Sequence, residues 1–307
     1  MNFLHRFLAF ARTAGPGSRL RFAPTPSGYL HIGNAVNFTL NWLVARTGDS
    51  KILLRIDDLD AERKRPEYVA DIFERLRWLG LDWDEGPGLV QSEAMTSSHR
   101  LTTAIADFEQ NWSQHRRLPL YFNVLEKLRD TGLLFACRKS RRDLEPFDGA
   151  YPPEFRDQNL HLDDPDVAWR IQTPPDFPMP DFVVRRRDAL PAYQVASLVD
   201  DIHFGISHII RGEDLEASTR AQRFLAECLG ETTFLQIQFL HHPLITDERG
   251  EKLSKSMGAT SLKAMQEGGA GVEPVFRWVG EMLGVTDATS ASGLLERLKS
   301  KMRLPDK

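Results

Sequence analysis

Apolar residues along the chain fall into short runs whose period keeps changing. Leu20 to Ala23 is a compact apolar stretch that halts at Pro24 and Pro26, as a short strand would. From Asn34 to Ala45 the positions Val36, Leu40, Leu43 and Val44 recur at helical spacing and share one face. Lys51 to Ile56 is again a strand-like run. Pro66 stands where a helix can begin, and Val69, Ile72, Phe73, Leu76 and Leu79 follow three or four residues apart. Strand, helix, strand, helix in that order argues for a parallel sheet with crossover helices, hence an α/β fold.

The stretch from Gly86 to Asp181 is less regular. It contains helical patterns over Ser97 to Trp112 and Leu120 to Asp130, then a Pro- and Asp-rich patch from Glu145 to Pro180. Alternation resumes with strands over Phe182 to Arg186, His208 to Arg211 and Leu235 to His241, and a helix over Leu215 to Cys228. Helical signals close the chain at Phe276 to Leu283 and Leu294 to Met302. The pattern predicts an α/β core in two halves, 19–96 and 181–258, split by a loop-rich insertion at 97–180 and followed by a helical remnant at 259–307. Met1 to Ala14 reads as a short amphipathic extension, joined at 15–18 by a Gly-Pro-Gly-Ser linker, and lacks the continuous apolar stretch and cleavage site of a secretory signal.

Hydrophobic residues at 41% and charged residues at 27% give a soluble globular composition. A net charge of −4 excludes a generic basic nucleic-acid coat, so RNA contact must come from local patches. Candidates are Arg138-Lys139-Arg141-Arg142, Arg185-Arg186-Arg187 and the run around Lys299, Lys301 and Arg303, each of which also reads as solvated surface charge. Two cysteines, Cys137 and Cys228, form no disulfide framework and suit a reducing, cytoplasmic setting. No apolar run reaches the roughly 18–20 residues needed to span a bilayer, so no membrane partner is expected.

Two segments carry candidate chemistry. The first, Arg21-Phe22-Ala23-Pro24-Thr25-Pro26-Ser27-Gly28-Tyr29-Leu30-His31-Ile32-Gly33-Asn34, sits at the first strand-to-helix junction, where open α/β sheets bind ligands. Gly28 and Gly33 let backbone come close to a ligand, the helix start offers N–H groups and a positive dipole end to phosphate, and His31 can donate to a phosphate oxygen. The second, Lys252-Leu253-Ser254-Lys255-Ser256, follows the last strand with Gly250 and Gly258 on either side. Two lysines three apart can clamp a triphosphate and stabilise the charge that develops on departing pyrophosphate. Read alone, each also fits a plainer reading, a turn histidine for the first and a basic surface loop for the second.

Together, in this order and separated by a split sheet, they resemble the two signatures of class I aminoacyl-tRNA synthetases. Further blocks look like the glutamate-specific subfamily: Leu54-Arg55-Ile56-Asp57-Asp58-Leu59-Asp60, Tyr193-Gln194-Val195-Ala196 with Asp200-Asp201, and Arg211-Gly212-Glu213-Asp214-Leu215. The resemblance covers about 19–257. It implies a Rossmann-like class I synthetase catalytic core, an inserted acceptor-binding-like subdomain and a short helical C-terminal region. It also implies ATP with Mg2+, glutamate and a tRNA as partners, and a cytoplasmic monomer. Catalysis would fall to His31, Lys252 and Lys255, and ATP binding to His31, Gly33, Asn34, Lys252, Ser254 and Lys255. Glutamate binding would fall to Arg21, Ala23, Thr25, Asp57, Tyr193 and Arg211. Arginine's planar fork matches the substrate's side-chain carboxylate. Asp57 stands where the family has a glutamate for the substrate's ammonium, one methylene shorter.

Only about fifty residues follow Ser256, too few for the anticodon-binding region of a full glutamyl-tRNA synthetase. This truncation is similar to the glutamyl-queuosine tRNA(Asp) synthetases, which attach glutamate to queuosine in the anticodon loop of tRNA(Asp). Many of them hold zinc with Cys-x-Cys, a Tyr and a further Cys. Here Cys137 and Tyr151 alone match, so zinc is not expected, no metal ligand set is assigned, and Phe147, Tyr151 and Phe155 are expected to hold that region by apolar contact. Two alternatives stay open: a minimal glutamyl-tRNA synthetase charging a tRNA 3′ end, and a non-catalytic paralog binding ATP, glutamate or RNA.

Overall fold

The computed structural model describes residues 2–89, 96–245 and 261–302. In chain order these are helix α1 (Phe3–Thr13), strand β1 (Arg19–Phe22), α2 (Ile32–Gly48), β2 (Lys51–Leu54), α3 (Pro66–Trp78) and α4 (Ser97–Asp107), the last continued by a π-helical turn over Phe108–Trp112. Then come α5 (Leu118–Asp130), β3 (Leu134–Cys137), α6 (Arg141–Leu144), β4 (Ala168–Ile171), β5 (Val183–Arg185) and α7 (Tyr193–His203). After them follow β6 (His208–Gly212), α8 (Glu216–Leu229), α9 (Thr232–Leu235), β7 (Gln238–His242), α10 (Leu262–Glu267), α11 (Glu273–Met282) and α12 (Ala291–Met302). None of the described helices is long and apolar enough to cross a membrane.

The chain forms two compact units: Met1–Arg116 with Ile206–Glu213 and Gln238–Lys307, and Arg117–Gly205 with Asp214–Ile237. In the first unit β1 pairs with β2 and β6 with β7, both parallel. The Ser207 N–H reaches the Arg19 carbonyl at 3.0 Å and sets β6 beside β1. Strand residues Leu20, Phe22, Ile52, Leu54 and Ile210 and helix residues Val36, Leu40, Phe73 and Leu76 share one buried core. Parallel strands covered by helices read as apolar on both faces, which is why these strands appear in the sequence as short runs and not as alternation.

Two expectations need correction. The N-terminal segment is no appendage: Phe7, Leu8, Phe10 and Ala11 of α1 lie in the core of the first unit. The insertion is not 97–180 either. Ala104 of α4 and Phe108 of the π turn belong to the first core, whereas 181–205 and 214–237 belong to the second unit. The cause is a buried tie within that second unit. Arg117, at the start of α5, grips Asp200 on α7 with two hydrogen bonds of 2.7 and 3.0 Å, and Tyr121 adds a third at 2.7 Å. The second unit also holds an antiparallel sheet in the order β3-β4-β5; β5 falls in the expected strand over Phe182 to Arg186, whereas β3 and β4 lie where the sequence reads as irregular and α7 has no counterpart in the sequence pattern. Strands β3 and β4 are four residues each and pair within a stretch rich in turns, where no alternation of elements marks them out.

Candidate active site

The junction between β1 and α2 builds a rigid turn. His31 is the N-cap of α2: its Nδ1 accepts the Gly33 N–H at 3.0 Å, and Asn34 Oδ1 accepts the His31 N–H at 3.0 Å, closing a capping box. With Nδ1 used as acceptor, the neutral ring carries its proton on Nε2, the form that can donate to an anion. A Cβ on Gly33 would lie 2.9 Å from His31 Cε1, so glycine here lets the ring fold over the first helical turn. The expectation of open amides at this helix start is corrected. Gly33 N–H goes to the His31 ring, and the N–H groups of Asn34 and Ala35 go to the His31 carbonyl at 2.9 and 3.2 Å. An anion here meets the positive end of the helix dipole rather than a row of unengaged N–H groups.

Buried charges collect at the carboxyl ends of the strands in the same unit. Arg21 in β1, Arg55 and Asp57 beyond β2, and Arg211 in β6 are all at most 8% exposed. The β1–β2 pairing continues past the regular strands, with Arg55 N–H on the Phe22 carbonyl and Asp57 N–H on the Pro24 carbonyl, both at 2.9 Å. That places the Ala23-Pro24 backbone beside Asp57, with Ala23 half-buried and Thr25 exposed in the turn. The Asp57 carboxylate is gripped by Arg55, whose Nε and Nη2 donate at 2.7 and 3.0 Å. This partner went unassigned in the sequence, although residues two apart at a strand end share a face. The Arg211 guanidinium lies 5.2 Å over the Phe239 ring.

Behind Asp57 the loop is anchored by its neighbour. Asp58, 1% exposed, accepts from Ser113 Oγ at 2.7 Å, Gln114 N–H at 2.7 Å and Lys64 Nζ at 3.0 Å. Gln114 Oε1 accepts the Leu59 N–H at 3.1 Å. Burial pulls the Lys64 ammonium down, but hydrogen bonds to Glu109 and Asp58 outweigh it and leave its pKa above the ordinary value. Ser113 and Gln114 come directly after the π turn, a distortion that tends to mark functional sites and that no sequence period announces.

Tyr193 opens α7 in the second unit and is 44% exposed. Lys252, Ser254 and Lys255 lie outside the described residues. The chain on both sides of them is moored to the first turn and α2. His242 Nε2, at the end of β7, is 3.3 Å from Asn37 Nδ2 of α2, Ser261 pairs with His31, and Leu262 N–H donates to the Leu30 carbonyl at 2.8 Å.

In the second unit Tyr151 Oη lies 3.2 Å from Cys137 Sγ and 2.8 Å from the Phe155 carbonyl, and accepts from Gln158 Nε2 at 2.9 Å. Leu144, Phe135 and Phe155 wall this pair in, and the Phe147 ring meets Phe155 edge-on at 5.5 Å. Burial pushes the Cys137 thiol up, yet the hydrogen bonds from Tyr151, Gln158 and the Lys139 N–H, with the Arg170 charge, bring it below its ordinary value; the Tyr151 phenol is raised, chiefly by burial. One thiol and one phenol in an apolar pocket do not supply the four donors of a structural zinc site, so these residues do not fit that metal.

Nearby, two basic runs far apart in sequence meet: Arg187 Nη2 donates to the Arg138 carbonyl. Aromatic rings hold several of the cations, with Lys139 4.4 Å over Phe155, Arg170 4.3 Å over Tyr151 and Arg185 4.7 Å over Trp169. The C-terminal run is used differently, because Lys301 Nζ donates to the Leu283 and Gly284 carbonyls at 3.2 and 3.0 Å beyond the end of α11. Arg303 lies outside the described residues.

Known proteins resemble this chain in sequence and fold. The family model for the class I tRNA synthetases (E and Q), catalytic domain, matches residues 18–148 and 155–297. A glutamyl-Q tRNA(Asp) synthetase of a Synechococcus species is 38% identical over 94% of this chain and 92% of its own length. Its counterpart in Pseudomonas paraeruginosa is 37% identical over 80% of each chain. A glutamate–tRNA ligase of another Synechococcus is 34% identical over 82% of this chain but only 54% of its own length. The crystal structure of the glutamate–tRNA synthetase of Elizabethkingia anophelis aligns with a TM-score of 0.62 at 23% identity, over 82% of this chain and 54% of that one. The chain thus spans about half the length of such solved structures, and the likeness speaks for the fold.

Proposed function

The chain belongs to the class I tRNA synthetases of the glutamate and glutamine type, a family of ligases, and from that premise we propose that it activates glutamate with ATP and transfers it to queuosine in the anticodon loop of tRNA(Asp). The observation that carries this reading is the group of buried charges at the strand ends, Arg21, Arg55 with Asp57, and Arg211, in the same unit as the His31 turn. Three arginines and a carboxylate at the carboxyl ends of parallel strands, where open α/β sheets bind ligands, match a substrate that carries carboxylates and an ammonium.

In this reading Arg21 and Arg211 receive the glutamate side-chain carboxylate, Ala23 and Thr25 line the pocket, and Tyr193 is assigned to glutamate binding by its family motif. Asp57 receives the ammonium. A carboxylate has about four acceptor positions, so the bidentate grip of Arg55 is compatible with that contact and fixes its direction. ATP, carrying its Mg2+, lies with its phosphates toward His31, Gly33 and Asn34, and Lys252, Ser254 and Lys255 hold the β- and γ-phosphates. An oxygen of the glutamate α-carboxylate attacks the α-phosphorus in line, the bond to the β-phosphate oxygen breaks, and pyrophosphate leaves with the electron pair. The protein supplies position and charge and no nucleophile. A hydroxyl of the acceptor then attacks the activated carbonyl and releases AMP. We place this chemistry in the cytoplasm, with the chain acting as a monomer.

The acceptor is tested by labelled glutamate with two preparations of tRNA(Asp), one carrying queuosine and one carrying guanosine at that position. Label is expected on the queuosine form only. Label on the 3′ end of the queuosine-free tRNA would contradict the queuosine reading and make the chain a minimal charging enzyme.

A further inference from the structure

One buried carboxylate in the first unit takes no part in the chemistry above, yet it touches the turn that carries His31. Asp71 on α3 is 1% exposed, and its Oδ2 accepts the Leu30 N–H at 2.9 Å. Its Oδ1 lies 3.2 Å from Arg75 Nε one helical turn on, an ion pair without hydrogen-bond alignment. Arg75, 6% exposed, donates through Nη1 to Gln266 Oε1 of α10. From α10 the Leu262 N–H returns to the Leu30 carbonyl at 2.8 Å, and Ser261 pairs with His31. Leu30, Asp71, Arg75, Gln266 and Leu262 therefore close a ring. Lys263 of α10 adds a second strut, 4.6 Å over the Tyr29 ring.

The ring joins two elements that are more than two hundred residues apart in sequence. One is the turn before α2. The other is the first described helix after the segment holding Lys252 and Lys255. Both main-chain groups of Leu30 are consumed by it, the N–H by α3 and the carbonyl by α10, so the residue before His31 has no freedom to rotate.

We infer that Asp71 is a positioning residue for nucleotide binding, a clip that ties the His31 turn to α3 and α10 so that the turn is held preformed for ATP. The inference rests on the reading that ATP binds at the His31 turn. Asp71 never meets substrate; it acts through Leu30 and through Arg75. Burial raises the Asp71 carboxyl above its ordinary range, against the lowering effects of the Leu30 N–H, Arg75 and Lys263, with Glu74 adding to the rise. These are the charged groups that face it, Glu74 and Arg75 on α3 and Lys263 on α10. Protonation weakens the grip on Arg75, so the clip loosens as pH falls through that raised value.

The test is glutamate-dependent ATP–pyrophosphate exchange by the full chain carrying Asp71→Asn or Gln266→Ala, with KM for ATP and for glutamate measured separately and folding checked by thermal melting. Asp71→Asn keeps the shape and an acceptor for Leu30 while removing the charge. Gln266→Ala removes the far end of the ring from an exposed position, so it reports even where Asp71→Asn fails to fold. Each is expected to raise KM for ATP about tenfold, equivalent to about 1.4 kcal/mol, with KM for glutamate changed by less than about twofold. In the unaltered chain the acid side of the KM(ATP) profile is expected to start above the ordinary carboxylate range, and in Asp71→Asn that limb disappears. Folded variants with unaltered KM for ATP, or with both KM values raised equally, would overturn the clip while the proposed activity stands. No exchange by the unaltered chain would overturn both.

Discussion

At the scale of single residues the account turns on Asp57. Its carboxylate is 8% exposed and bound to an arginine that is 2% exposed, so neither charge is solvated by water. Breaking such a pair by removing one partner typically costs about 3–5 kcal/mol, because the remaining charge stays buried and unmatched. Asp57→Ala is therefore expected to lose stability of that order in chemical denaturation and to raise KM for glutamate well beyond KM for ATP. A stable variant with unaltered glutamate kinetics would remove Asp57 from the site. The candidate positions Arg21, Asp57 and Arg211 were legible because short blocks around them match the family, and the strand ends place all three at the carboxyl edge of the sheet. The partners of Asp58 were not legible. Ser113 and Gln114 reach it only through a π turn more than fifty residues away, and nothing in the local pattern points across that distance.

At the scale of elements, α1 shows how a correct local reading can miss its context. The apolar positions Phe3, Phe7, Leu8 and Phe10 read as an amphipathic extension, and the structure folds them into a helix. What the pattern omits is the surface it covers, which comes from β6 and β7 some two hundred residues on. Thr13 Oγ1 lies 3.1 Å from His208 Nε2, the Phe10 ring meets the His208 ring edge-on at 5.4 Å, and Arg6 donates to the His241 carbonyl at 2.9 Å. Together these contacts seat α1 on the β6–β7 pair, with His208 of β6 and His241 of β7 both engaged. Burial holds the His208 pKa below the ordinary histidine value of 6.5. The unfolded chain then binds the proton more readily than the folded one. This contribution to stability is present above that value and is lost as pH falls through it toward the lower folded pKa. Thermal melting from about pH 7.5 down to about pH 5.5 should show a falling midpoint, and His208→Gln should flatten the fall. An unchanged slope in the variant would assign the acid loss to other groups. Helix α7 is hidden for a related reason: Asp200 and Asp201 break its apolar face in sequence, and it is Arg117 and Tyr121, at the start of α5 and within it, that make Asp200 a buried anchor.

At the scale of the whole molecule the family match begins at residue 18 and ends at 297, so the catalytic fold occupies nearly all of the chain and α1 stands before it. The acidic net charge of −4 leaves RNA binding to local features. The second unit offers a candidate for one where Arg138, Lys139 and Arg187 come together from two stretches nearly fifty residues apart. Phosphate contacts release counterions, so Arg187→Ala should weaken tRNA binding and lower the slope of log affinity against log salt by about one unit per lost contact, with ATP–pyrophosphate exchange unaffected. A parallel loss of exchange would mean that the substitution disturbs the fold instead. The measurement that bears most directly on the proposed activity is ATP–pyrophosphate exchange with glutamate in the absence of tRNA, with aspartate and glutamine as controls. The account predicts exchange with glutamate alone, lost when Lys255 is replaced by alanine. No exchange with any of the three amino acids, with tRNA(Asp) or without it, would contradict the account and leave a binding protein built on a synthetase fold.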